Sequence, residues 1–203
     1  MKTPLTEHAG IEVPLVCGAM YPCSNPELVA AVSEAGGIGI VQPISLTWVH
    51  GHDFREGLRL IRRLTAKPIG MNALIEQSSR AYRERMERWI DVALEEGVRF
   101  FVTSLGNPRW VVDRVSPAGG VVYHDVTERK WAEKGIAGGV HGLIGGNDRE
   151  TIEKDLINAA SISGLSSNPL LQMDGDATAQ KYKNDYLISR LVFSVNYLRD
   201  ISA

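Results

Sequence analysis

The chain has 203 residues, 44% hydrophobic and 23% charged, the balance of a soluble globular protein long enough to bury a full core. A formal charge of −2 and a pI near 6.2 leave no electrostatic footprint for nucleic acid or an anionic membrane, so small molecules are the expected partners. The N-terminus has no basic patch followed by a short apolar stretch, and no run nears the roughly 20 apolar residues of a membrane span, so a cytoplasmic location is expected.

Val13 to Ile144 alternates short Val-, Ile- and Phe-rich runs with longer segments of helical period, the pattern of repeated βα units around a parallel sheet. The first predicted strand is Pro14 to Cys17, followed by Gly18-Ala19-Met20 and a helix capped by Ser24 or Asn25 with Pro26 at its first position. Cys17 and Cys23, the only two cysteines, have neither CxxC nor zinc-type spacing and carry no metal role. Gly36-Gly37 stops the helix, and Ile38 to Val41 reads as a strand covered on both faces. A helix over Asp53 to Leu64 leads through Lys67-Pro68 to a third strand, Ile69 to Leu74. A third helix covers Ser79 to Glu96, with Tyr82, Met86, Trp89 and Ile90 on one side and Arg/Glu pairs on the other. Then come strand Val98 to Ser104, helix Asn107 to Val115, strand Gly120 to His124, helix Thr127 to Ala137 and a sixth strand, Gly139 to Ile144. The expected fold is α/β, built from TIM-barrel-like (β/α) units: six strands of a barrel that needs two more units to close.

After Gly146 the composition changes. Eighteen of the 20 glycines and all four tryptophans precede Asn147, and the last 57 residues hold five asparagines against three before them. Ile152, Leu156, Ile157 and Ala160 fit one amphipathic helix, and Tyr186, Ile188, Leu191, Val192, Val195 and Leu198 fit another. The expected organisation is a barrel portion over 1–146 and a helical tail over 147–203. An open sheet would expose an unpaired edge, so aggregation, dimerisation or capping by the tail is expected.

The run Pro14-Leu-Val-Cys-Gly18-Ala19-Met20, then Ser24-Asn25-Pro26-Glu27-Leu28 through Gly36-Gly37-Ile-Gly39-Ile, resembles the opening of the nitronate monooxygenase family, formerly the 2-nitropropane dioxygenases. The similarity continues through Lys67-Pro68-Ile-Gly70-Met-Asn72, Phe101-Val-Thr-Ser104 and Gly119-Gly-Val-Val-Tyr123-His124-Asp125, and covers about residues 3 to 146. It implies FMN as cofactor and oxidation of an alkyl nitronate by molecular oxygen to a carbonyl compound and nitrite. Flavin-dependent enoyl-acyl carrier protein reductases share much of the framework.

In a (β/α) barrel, chemistry sits where strands end and loops begin. Gly18, Ala19 and Met20 fall there on strand one, and the resemblance makes them a platform beside the flavin; a plain tight turn is the competing reading. Asn72, at the end of strand three, could both donate to and accept from a flavin edge, or cap its own loop. Ser104 ends strand four and is an expected cofactor contact. His124 ends strand five and has the proton affinity for exchange near neutral pH, so it is the expected catalytic residue and a cofactor contact; the alternative is a histidine packed at the rim. His50-Gly51-His52-Asp53 lacks a third ligand and is not read as a metal site. His141 lies within an apolar strand and reads as a core residue.

The resemblance also implies a later histidine base and Gly-rich turns that hold the FMN phosphate, but no histidine follows His141, and neither feature can be assigned to a residue here. Weak FMN binding and little or no nitronate turnover are therefore expected. A catalytically incomplete or fused scaffold and an enoyl-thioester reductase stand as the alternatives, the second without a recognisable nicotinamide site.

Overall fold

The computed structural model describes residues 2–76 and 79–145, together with the backbone of Val192–Ser194. The chain opens on a short helix that periodicity does not signal, α1 (Pro4–Ala9). Its signal is local: Thr3 caps it in a reciprocal capping box with Thr6, and Pro4 takes the first turn, where the missing N–H costs nothing. Six strands follow, β1 (Val16–Cys17), β2 (Ile38–Val41), β3 (Ile69–Leu74), β4 (Phe100–Ser104), β5 (Val121–Val126) and β6 (Gly142–Gly145). Between them lie α2 (Pro26–Glu34), α3 (Phe54–Leu64), α4 (Arg80–Glu95), α5 (Arg109–Val115) and α6 (Arg129–Ala137).

Each strand pairs in parallel with the next in sequence, so β1 to β6 form a half-barrel of consecutive βα units. A seventh strand, β7 (Val192–Ser194), pairs antiparallel with β6, setting Ser194 against Gly142 and Val192 against Ile144. This corrects the helix expected over Tyr186 to Leu198 at the three positions described. An open strand edge offers a row of unpaired N–H and C=O groups, and a Val-Phe run satisfies them by pairing. The expected helix around Ile152 to Ala160, the link after it and the boundary at Gly146 lie outside the described residues. Among the described residues no helix is long and apolar enough to cross a membrane.

Strand alternation divides the core into two layers. Val41, Ile69, Met71, Ala73, Phe101, Val122 and Leu143 pack against the helices through Val29, Leu58, Ile61, Met86, Ile90 and Val111. Ile38, Ile40, Phe100, Val102, Tyr123 and Ile144 face the other way, onto the concave inner side, where Leu5 and Ala9 of α1 and Ile11 cover them. Helix and sheet approach most closely at Gly39, where an added Cβ would lie 2.2 Å from the Val29 carbonyl oxygen. Only hydrogen fits there.

Candidate functional site

The loop after β1 is built by one serine. Ser24, itself buried, accepts a hydrogen bond from the Met20 N–H at 2.8 Å through its hydroxyl and donates its own N–H to the Met20 carbonyl at 2.8 Å. Asn25 caps α2 by accepting from the Leu28 N–H. Gly18, Ala19 and Met20 are thereby fixed at the C-terminal end of the sheet, and a Cβ added at Gly18 would meet no atom within 4 Å.

The same end carries apolar side chains that face solvent: Met20 and Tyr21 after β1, Trp48 and Val49 after β2, and Leu105 after β4. Leu105 has φ of 63°, left-handed backbone that a branched side chain seldom adopts, directly beside Ser104. Trp48 and Val49 belong to a π-helical turn, Ser45–Val49, that sequence periodicity does not reveal. The His50-Gly51-His52-Asp53 run has ordinary structural partners: His50 Nε2 donates to the Pro22 carbonyl, tying the first two loops together, and Asp53 caps α3 through the N–H groups of Arg55 and Glu56.

Asn72 and Ser104 come together on the inner face. Asn72 alternates with Met71 and Ala73, which face the helices, and its Cα partner on β4 is Val102; Ser104 pairs with Leu74, two residues further up. Both side chains are half-buried, and among the described residues neither the Asn72 amide nor the Ser104 hydroxyl has a hydrogen-bond partner. An amide and a hydroxyl left uncommitted beside an open loop can donate to and accept from a ligand edge. Asp125, the Cα partner of Ser104 on β5, shares this face. Sequence reading passed it over for its neighbour, although a one-residue shift in a strand decides the face.

His124 departs from its expected catalytic place. It alternates with Tyr123 and Asp125, points to the helix side and is 2% exposed, under α6, where Gly135 leaves the room it occupies. Its Nδ1 lies 2.8 Å from the Thr103 hydroxyl, which also donates to the Tyr123 carbonyl at 3.3 Å. Burial lowers its pKa from 6.5 to about 4, with the Thr103 contact opposing the shift. A neutral imidazole sealed between sheet and helix cannot exchange protons with a ligand on the inner face. The expectation of a cofactor contact fails for the same reason.

His8 and His141 serve structure at the opposite end. His141 stands at a bend before β6 and is half-buried, which corrects the expected core position inside the strand; its Nδ1 accepts the Val122 N–H at 3.1 Å, and its ring meets His8 edge-on at 6.3 Å. His8 Nδ1 lies 3.0 Å from the hydroxyl of fully buried Tyr123 and anchors α1 to the sheet. Burial lowers the pKa of both histidines, and for His141 the neighbouring His8 adds to the effect. The half-buried Cys17 thiol is raised by desolvation and is a poor nucleophile at neutral pH.

The family model for nitronate monooxygenase matches residues 2–130. The chain belongs to the nitronate monooxygenase family. A nitronate monooxygenase from Pseudomonas aeruginosa is 34% identical over 91 residues, 45% of this chain and 25% of that protein. The (3aS,4S,5R,7aS)-5-hydroxy-7a-methyl-1-oxo-octahydro-1H-indene-4-carboxyl-CoA dehydrogenase of Mycobacterium tuberculosis is 29% identical over 144 residues, 71% of this chain and 38% of that protein. Among solved structures, FabK from Thermotoga maritima aligns with a TM-score of 0.58 at 26% identity, covering 70% of this chain and 43% of its own. The chain thus spans about two fifths of the length of these last two relatives. The half-barrel of this family member carries the first rim loop and the inner face together.

Proposed function

We propose that the chain is a flavin-dependent oxidoreductase element that uses FMN to oxidise alkyl nitronates with molecular oxygen. The observation that carries the reading is the pair of uncommitted groups, the Asn72 amide and the Ser104 hydroxyl, on the inner face at the end of the sheet where Gly18 leaves open space. Gly18, Ala19 and Met20 would lie along the flat ring, and Asn72 and Ser104 would bond its polar edge. When bound, the flavin supplies the electron transfer between nitronate and oxygen, which no side chain of these residues can perform. The protein's part is orientation: Ser24 holds the platform, and the exposed Met20, Tyr21 and Leu105 offer an apolar surround that excludes water from a ligand on the rim.

The described residues provide no Gly-rich turn aimed at a phosphate beside this platform, so the cofactor's dianionic end lacks directed backbone donors there. The expected affinity is lower than that of a full-length relative. The fused or incomplete scaffold reading becomes the outcome in which no flavin binds. We place the protein in the cytoplasm with small-molecule partners and keep the boundary at Gly146.

A second reading, reduction of an enoyl thioester, draws support from the likeness to FabK and to a carboxyl-CoA dehydrogenase. Oxygen uptake by FMN-saturated protein separates the two. Uptake on addition of a nitronate, slower than ordinary enzyme rates of about 1–10³ per second, supports the first. Oxidation of a reduced nicotinamide driven by an enoyl thioester, with no response to nitronate, replaces it by the second.

A further inference from the structure

Arg85 lies among three aromatic rings and, among the described residues, is bonded to no acid. Its guanidinium carbon lies 4.7 Å from the ring centroid of Trp48 and 5.2 Å from those of Tyr82 and Trp89. The sequence of α4 explains the isolation. Arg80 and Arg83 each meet a glutamate four residues on, Glu84 at 2.7 Å and Glu87 at 2.9 Å. Four residues after Arg85 stands Trp89, and three before it Tyr82. Arg85 Nε and the Tyr82 hydroxyl are both fully covered without a hydrogen-bond partner, and among the described residues no carboxylate pairs with this guanidinium.

A guanidinium has two flat faces, so with three rings around it at least one meets its edge; with Nε covered, the terminal N–H groups are the donors left to bind oxygen, as suits phosphate. Beside it, Trp48 is 63% exposed, an indole surface of the kind on which a base stacks. Trp48 follows β2, and Arg85 sits in the second turn of the helix that follows β3, so both lie toward the end of the sheet that carries the rim loops. Asn72 and Ser104 belong to the inner face, whereas Trp89 belongs to the helix-side core. The two sites share no residue, so each is tested by its own substitutions.

We propose that Trp48, Tyr82 and Arg85 form a binding site for a phosphate-bearing nucleotide, with Arg85 taking the phosphate and Trp48 stacking the base. The site is tested on the 203-residue chain by calorimetric titration with ADP, inorganic pyrophosphate and adenosine. ADP binds saturably, pyrophosphate more weakly and adenosine weakest. Arg85→Met weakens ADP at least about tenfold, the loss of one charge-assisted contact, and Arg85→Lys restores part of it, having the charge without the planar fork. Trp48→Ala, a change at an exposed position that serves if Arg85→Met does not fold, weakens ADP and leaves pyrophosphate unchanged. Absence of saturable ADP binding, or equal ADP affinity in wild type and Arg85→Met, overturns the proposal. Pyrophosphate binding as tightly as ADP, with neither affected by Trp48→Ala, also overturns it, since only a bare anion would then be recognised.

Discussion

Asn72 and His124 lie within one residue of the same height in the sheet and face opposite sides of it. Asn72 pairs with Val102 and Val102 with Tyr123, which places His124 one position further along β5 and on the other face. Nearness along the edge therefore does not give the two side chains a common ligand. Asn72 faces the inner side of the sheet; His124 lies on the helix side and ties β5 to β4 through Thr103.

The two alanine substitutions should accordingly separate. Asn72→Ala removes a half-exposed amide and leaves the melting temperature near wild type, while weakening FMN binding by about tenfold, the cost of one hydrogen bond to a buried polar ligand, ~1–3 kcal/mol. His124→Ala empties wholly buried space and takes a partner from Thr103, costing on the order of 2–4 kcal/mol in denaturant unfolding. A His124→Ala protein as stable as wild type contradicts the placement.

Acid should destabilise the fold before its carboxylates titrate. The His124 pKa is about 4 folded against 6.5 unfolded, so below 6.5 the unfolded chain takes up the proton that the folded chain refuses. The stability of neutral His124 is complete above pH 6.5 and lost as pH falls toward 4, on the order of 3 kcal/mol in all. His8 and His141, also lowered, act in the same direction. Urea midpoints measured from pH 7 to 4.5 should fall, with a shallower fall in His124→Gln; a flat profile contradicts the burial of all three.

Two glycines near the platform should respond differently to alanine. Gly39→Ala drives a methyl into the Val29 carbonyl and must push α2 off the sheet, a loss of about 1–3 kcal/mol or more. Gly18→Ala meets no protein atom, so stability holds and only a ligand lying on the loop is displaced. Equal melting temperatures for the two variants would contradict the packing described at β2.

Strand order was legible because each run in a parallel sheet covered on both faces is short, apolar and closed by a glycine or a cap; β2 and β3 fall at the positions read from Ile38–Val41 and Ile69–Leu74. The face of His124 was not. Tyr123, His124 and Asp125 are three polar-capable residues in succession, and composition cannot say which of them alternation turns inward until register with Thr103 and Ser104 is known. Helix α1 escaped notice because it is a single capped turn and a half, too short for a periodic stripe. Strand β7 escaped because β6 presents an edge that only the folded chain creates.

Titration of the apoprotein with FMN, followed by quenching of flavin fluorescence, bears most directly on the flavin reading. Saturable binding is predicted, weaker than in a full-length relative, weakened further in Asn72→Ala and Gly18→Ala, and unchanged in folded His124→Gln. Absence of saturable binding, or one affinity shared by wild type, Asn72→Ala and Gly18→Ala, would contradict it.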